Sequence, residues 1–160
     1  MKIDFPFKRN GLNMTGIFKF MMEAGYNPSF EITHIEFECD GNTAVVECED
    51  GFVSIRIFFS IEADEYDLFV EAAHLMMAKT YSIKSVVLED RENLVFCCEY
   101  FCDNIRDFKS FLPRAVECLV DGLNVHKSEM RKLLAARTND IKAIPDTDEI
   151  VTGINRKILS

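Results

Sequence analysis

Residues 43–79 read TAVVECEDGFVSIRIFFSIEADEYDLFVEAAHLMMAK, and their pattern decides the fold. Asp50-Gly51 suits a two-residue type I′ turn, because both central positions need positive φ and these residues tolerate it. Pairing across that turn sets Cys48 opposite Val53, Val46 opposite Ile55 and Ala44 opposite Ile57. One face is then apolar, while Glu47, Glu49, Ser54 and Arg56 share the other. A slip of one residue would exchange the faces, so burial holds the register. The run Asp64-Glu65-Tyr66-Asp67 marks a helix start with Asp64 as its N-cap. Phe69, Ala72, Ala73 and Met76 then recur at helical spacing, giving a helix that lies on the apolar sheet face.

Working outward, a strand is expected from about Phe30 to Cys39, joined to the hairpin by a turn at Gly41-Asn42. That turn sets Cys39 against Ala44, Phe37 against Val46 and Ile35 against Cys48, with Glu36 opposite Glu47. Both turns bring the same apolar face inward, as expected of a three-stranded antiparallel meander. Before it, Asn13 is the expected N-cap of a first helix carrying Met14, Ile17, Phe18, Met21 and Met22. Gly25 and Pro28 end that helix. Residues 1–12 read as an extended arm.

After the central helix, Ile83–Glu89 and Leu94–Cys102 read as two further strands around a charged loop. The second of these is apolar on both faces. Leu94, Phe96 and Cys98 form one side, and Val95, Cys97 and Phe101 the other. A strand of that kind is usually covered twice, so Val95, Cys97 and Phe101 are the candidate partner or homodimer surface. Asp103 or Asn104 caps a long last helix in which Pro113 must kink or restart the chain. The expected architecture is α+β: an antiparallel sheet in α-β-β-β-α-β-β-α order with helices packed on it. A single domain spans 1–137, and 138–160 is a loose C-terminal tail.

The chain has 160 residues and a formal net charge of −9, which disfavours nucleic acid and anionic membranes as partners. No apolar run is long enough to span a bilayer and the first residues carry no signal core, so a cytoplasmic protein is expected. The six cysteines show no CxxC or zinc spacing, and most fall at apolar strand or helix positions, so reduced, buried thiols are expected. Glu36, Glu38, Glu47 and Glu49 gather on the outer sheet face. They are a candidate acidic face for a cation or basic partner, although a solvated face is the commoner meaning of such a cluster. No phosphate loop, GxSxG or HExxH is present, and no nucleophile stands in register with a base. No catalytic residue, cofactor or metal ligand is therefore expected, and the chain reads as a non-enzyme.

The stretch Glu71-Ala72-Ala73-His74-Leu75-Met76-Met77-Ala78-Lys79, followed by Ile83-Lys84-Ser85-Val86, resembles the YbjN-like family. The resemblance covers about residues 13–136. That family's fold is similar to type III secretion chaperones. Its helix here takes the form Ala-Asn-x-x-Asn, and His74 and Met77 stand where the asparagines would fall, so no asparagine role carries over. The resemblance implies a non-enzymatic chaperone-like adaptor or regulator, commonly dimeric, that binds protein through apolar sheet and helix surfaces. The alternative is a small-molecule or cation sensor using the acidic face or a pocket under the central helix.

Overall fold

The computed structural model describes residues 11–89 and 92–142, with side chains through Thr138. In chain order the elements are α1 (Met14–Glu23), β1 (Ser29–Phe30), β2 (Ile35–Cys39), β3 (Asn42–Glu49), β4 (Phe52–Ser60), α2 (Tyr66–Lys79), β5 (Lys84–Val87), β6 (Asn93–Phe101) and α3 (Ile105–Lys142). The six strands form one antiparallel sheet in the order β1-β2-β3-β4-β6-β5. The chain is thus α+β, as its patterning requires. The single strand expected from Phe30 is divided: β1 is a two-residue edge piece, and residues 31–34 lead into β2.

The β3–β4 hairpin has the expected register, with Val46 opposite Ile55 and Cys48 opposite Val53. The β2–β3 register differs. Its central residues are Asp40 and Gly41, not Gly41 and Asn42, so Cys39 faces Asn42 and Phe37 faces Ala44. Asp40 and Gly41 have φ of 51° and 75°, close to the 50° and 82° of Asp50 and Gly51. The same dipeptide therefore builds both reversals. The correction moves the pairing by two residues, which leaves every side chain on its expected face. Glu36 lies opposite Val45, and the expected Glu36–Glu47 opposition is absent.

One core joins the inner sheet face to the helices. Ile35, Val46, Ile55, Ile57 and Phe96 pack with Ile17 and Met21 of α1, Ala73 and Met76 of α2, and Phe108, Leu112 and Leu119 of α3. Phe20 of α1 meets Phe108 edge-on at 5.9 Å, and Tyr26 meets Phe37 at 5.7 Å. Asn13 caps α1 by accepting from the Gly16 N–H at 2.8 Å. The residue preceding α2 is Glu65, not Asp64, and no side chain caps that helix. Asn104 caps α3, its Oδ1 accepting from Arg106 and Asp107 N–H groups at 2.8 and 3.1 Å. Asp107 reaches back to accept from the Asp103 N–H at 3.0 Å, a reciprocal cap.

Pro113 does not restart the chain: α3 is one helix through Lys142, with Pro113 on its exposed side. Water can reach the carbonyl that the missing N–H leaves unpaired there. The helix continues beyond Arg137, where the tail was expected to begin; residues 143–160 and the arm before Gly11 lie outside the described residues.

Candidate functional site: the outer sheet face

With the helices on one side, the opposite sheet face carries Glu36 and Glu38 of β2, Val45, Glu47 and Glu49 of β3, and Ser54, Arg56 and Phe58 of β4. Val95, Cys97, Glu99 and Phe101 of β6, with Lys84 and Val86 of β5, complete it. Side chains on this face divide into three zones. At one end Phe58, Val95 and Val86 stand in a row across β4, β6 and β5. Val95 is buried between its neighbours, while Phe58 and Val86 are each 46% exposed. In the middle, Arg56 bonds Glu47 at 2.9 Å and donates through Nε to Ser54 Oγ at 2.8 Å, and Lys84 pairs with Glu99. These long side chains flank Cys97, which is buried. At the far end Phe52 and Phe101 rings meet at 5.1 Å, and Phe101 is 64% exposed.

The candidate surface residues thus separate. Val95 and Cys97 lie on the outer face but are enclosed, and Phe101 stands out into solvent. Phe58 and Val86, not singled out from sequence, are the exposed apolar groups beside Val95. The run Ile57-Phe58-Phe59 carried the signal, since a half-buried strand should alternate and this one does not.

The four glutamates of the acidic face do not converge. Glu36 pairs with His34 at 3.2 Å, Glu47 is taken by Arg56, and Glu38 and Glu49 are exposed. Among the described residues no three His, Cys, Asp or Glu side chains come together to hold a metal ion. A depression of about 640 Å³ lies where β4 leads into α2, rimmed by Glu62, Asp64, Asp67 and Glu92. Its carboxylates are spread along exposed backbone.

A second groove, of about 520 Å³, runs between the end of β6 and α3. Tyr100 and Phe111 stack along it, 5.4 Å between centroids and 20° between planes. Glu99, Asp103, Asp107 and Arg114 are among its lining residues. Cys98 in its floor donates through Sγ to the Ser82 carbonyl at 3.0 Å, and burial pushes its thiol up to about 12. Burial likewise pushes Cys102 up to about 11 and raises Cys39, Cys48 and Cys97. These thiols are poor nucleophiles. All six cysteines are free. Of the histidines, His74 is exposed and His34 half-buried, while His126 is enclosed in the helix–sheet core.

An antiparallel sheet with helices packed on one face is a fold shared with a solved protein. The chain is similar to YbjN from E. coli, whose crystal structure describes it as a proposed transcription regulator. The TM-score is 0.61 over 76% of this chain and 94% of that one, at 9% sequence identity. The likeness is one of fold. No protein-family profile and no curated protein matches the sequence. No helix among the described residues is long and apolar enough to cross a membrane.

Proposed function

We propose that the chain is a non-enzymatic protein-binding module, an adaptor or regulator that engages its partner through the sheet face the helices leave open. The observation that carries this reading is the Phe58–Val95–Val86 row. Phe58 and Val86, each 46% exposed, stand on either side of buried Val95 across three strands, with paired charges beside them. Apolar patches rimmed by polar groups commonly mark interaction surfaces. Raised thiol pKa values make Cys39, Cys48, Cys97, Cys98 and Cys102 poor nucleophiles, which also favours binding over catalysis. The transcription-regulator description of YbjN is compatible with a protein partner, whereas a net charge of −9 disfavours direct contact with DNA. A cytoplasmic location and a homodimer built on the same face belong to this proposal.

The test is the double substitution F58E/V86E in the full chain. Both side chains are exposed, so the fold should survive with its circular dichroism unchanged. Affinity capture from a native extract, quantified by mass spectrometry, should lose a defined partner set relative to the parent chain. An unchanged set in the folded variant would remove this face from partner binding.

A further inference from the structure

Among the described residues, the edge of β6 is only half used. β4 pairs with β6 along its whole length, from Ser60↔Asn93 to Phe52↔Phe101. β5 pairs with it only from Val87↔Leu94 to Lys84↔Cys97. Beyond Lys84 the chain leaves the sheet, turned by Ser82 with φ of 62°. The hydrogen bonds fix which backbone groups this leaves open. The Leu88 N–H donates to the Asn93 carbonyl at 2.9 Å, and the Cys102 N–H donates to the Gly51 carbonyl at 2.8 Å. In an antiparallel ladder these directions alternate. Odd-numbered residues of β6 therefore turn their backbone toward β5, and even-numbered ones toward β4. Glu99 and Phe101 present their N–H and C=O groups along an edge with no strand beside it among the described residues.

That edge borders the 520 Å³ groove, with Tyr100 and Phe111 on its helix side. The β5 half of the sheet border is protected: the Ser85 N–H, pointing outward, donates to the Met77 sulfur of α2 at 3.2 Å. The β6 half has no such cover from α2. Open edges are liabilities unless they serve pairing.

We propose that the Cys98–Phe101 edge is a strand-addition site for an extended, basic segment of another protein. This rests on the reading of the chain as a protein-binding module and identifies the form and charge of its partner. The added strand would continue the line of β5. Its alternate side chains would fall toward Tyr100 and Phe111 on one side and toward Glu99 and Phe101 on the other. Charge selects the occupant. Glu99, Asp103 and Asp107 line the groove beside Arg114, on a chain whose formal net charge is −9. A basic segment is attracted, and a second copy of the same acidic groove is repelled.

The probe is a fluorescein-labelled, end-capped peptide of about eight residues alternating lysine with valine and phenylalanine. Its control carries glutamate for each lysine. The full chain should bind the lysine peptide about tenfold or more tightly than the control. Binding should slow amide hydrogen exchange at Glu99 and Phe101. Phe101→Pro removes one edge donor without touching the β4 ladder, and should weaken binding about tenfold while the melting curve stays cooperative. Three results overturn the proposal: no preference for the lysine peptide, binding without protection of those two amides, or amides already protected in the free chain. In the last case, protection lost on dilution to the monomer assigns the edge to a second copy, and protection that persists in the monomer assigns it to the chain's own residues. Loss of capture in F58E/V86E together with absent peptide binding defeats the edge alone. Peptide binding with unchanged capture defeats the sheet-face reading alone.

Discussion

His126 holds its ring 5.5 Å from that of Phe69 and 5.1 Å from that of Phe96, with Nε2–H donating to the Phe69 carbonyl at 3.3 Å. It is 7% exposed, and burial lowers its pKa from the ordinary 6.5. The unfolded chain therefore binds a proton that the folded chain resists, so this histidine's contribution to stability is full above about pH 6.5. It declines as the pH falls from there toward the lowered folded value. Urea midpoints measured between about pH 7.5 and 5 should fall with pH, and His126→Phe should flatten that slope. One turn on, Glu129 is 5% exposed and is held below its ordinary pKa by Lys132 and Lys79, each at 2.7 Å. Its contribution is present above the ordinary carboxylate range and is lost at lower pH, so the two effects act in sequence on acidification. Thiol chemistry follows burial as well. Iodoacetamide at about pH 8 should spare Cys98 and Cys102 in the native chain and reach them only after denaturant is added, as mass spectrometry would show. The sequence pattern anticipated these inert thiols. It gave no sign of His126, whose setting depends on Phe69 and Phe96 from two other elements.

Turns and one proline test the account at the level of elements. Gly41 and Gly51 both have positive φ, but they differ in surroundings. A Cβ at Gly41 would meet nothing within 4 Å, whereas at Gly51 it would lie 2.9 Å from the Cys102 carbonyl oxygen. Gly41→Ala should cost about 1–2 kcal/mol, the strain of a left-handed alanine. Gly51→Ala should cost clearly more, because backbone must also move; chemical denaturation of both variants decides this. Pro113→Ala should raise stability by about 1–3 kcal/mol, since the exposed position of α3 regains a hydrogen bond and loses a ring clash. Local chemistry made the second hairpin fully readable in advance. The sequence places the first reversal one residue too late because Asn42 also suits a turn, yet the period of two protects the assignment of faces. The division of β1 from β2 was not readable, since Phe30 and Ile35 are both apolar and nothing between them is a strong breaker. The stretch of β6 with no strand beside it among the described residues depends on the register of β5, a four-residue strand against a nine-residue one, and no local pattern encodes that difference.

At the scale of the whole molecule, the chain separates a buried helix–sheet interface from a sheet face with apolar and charged zones. The doubly apolar pattern of β6 pointed to the second face in advance. Residue spacing could not show that cross-strand neighbours enclose Val95 and Cys97 and leave Phe58, Val86 and Phe101 as the accessible groups. The fold is similar to the YbjN structure at 9% identity, so this backbone layout recurs where few side chains are shared. Hydroxyl-radical footprinting of the full chain, read residue by residue, tests the one-sided cover most directly. Phe58, Tyr100 and Phe101 should oxidise readily, while Phe37, Phe96 and Phe108 should stay unmodified until the chain unfolds. Rapid oxidation of Phe37 and Phe96 with protection of Phe58 and Phe101 would place the helices on the other face and contradict the account.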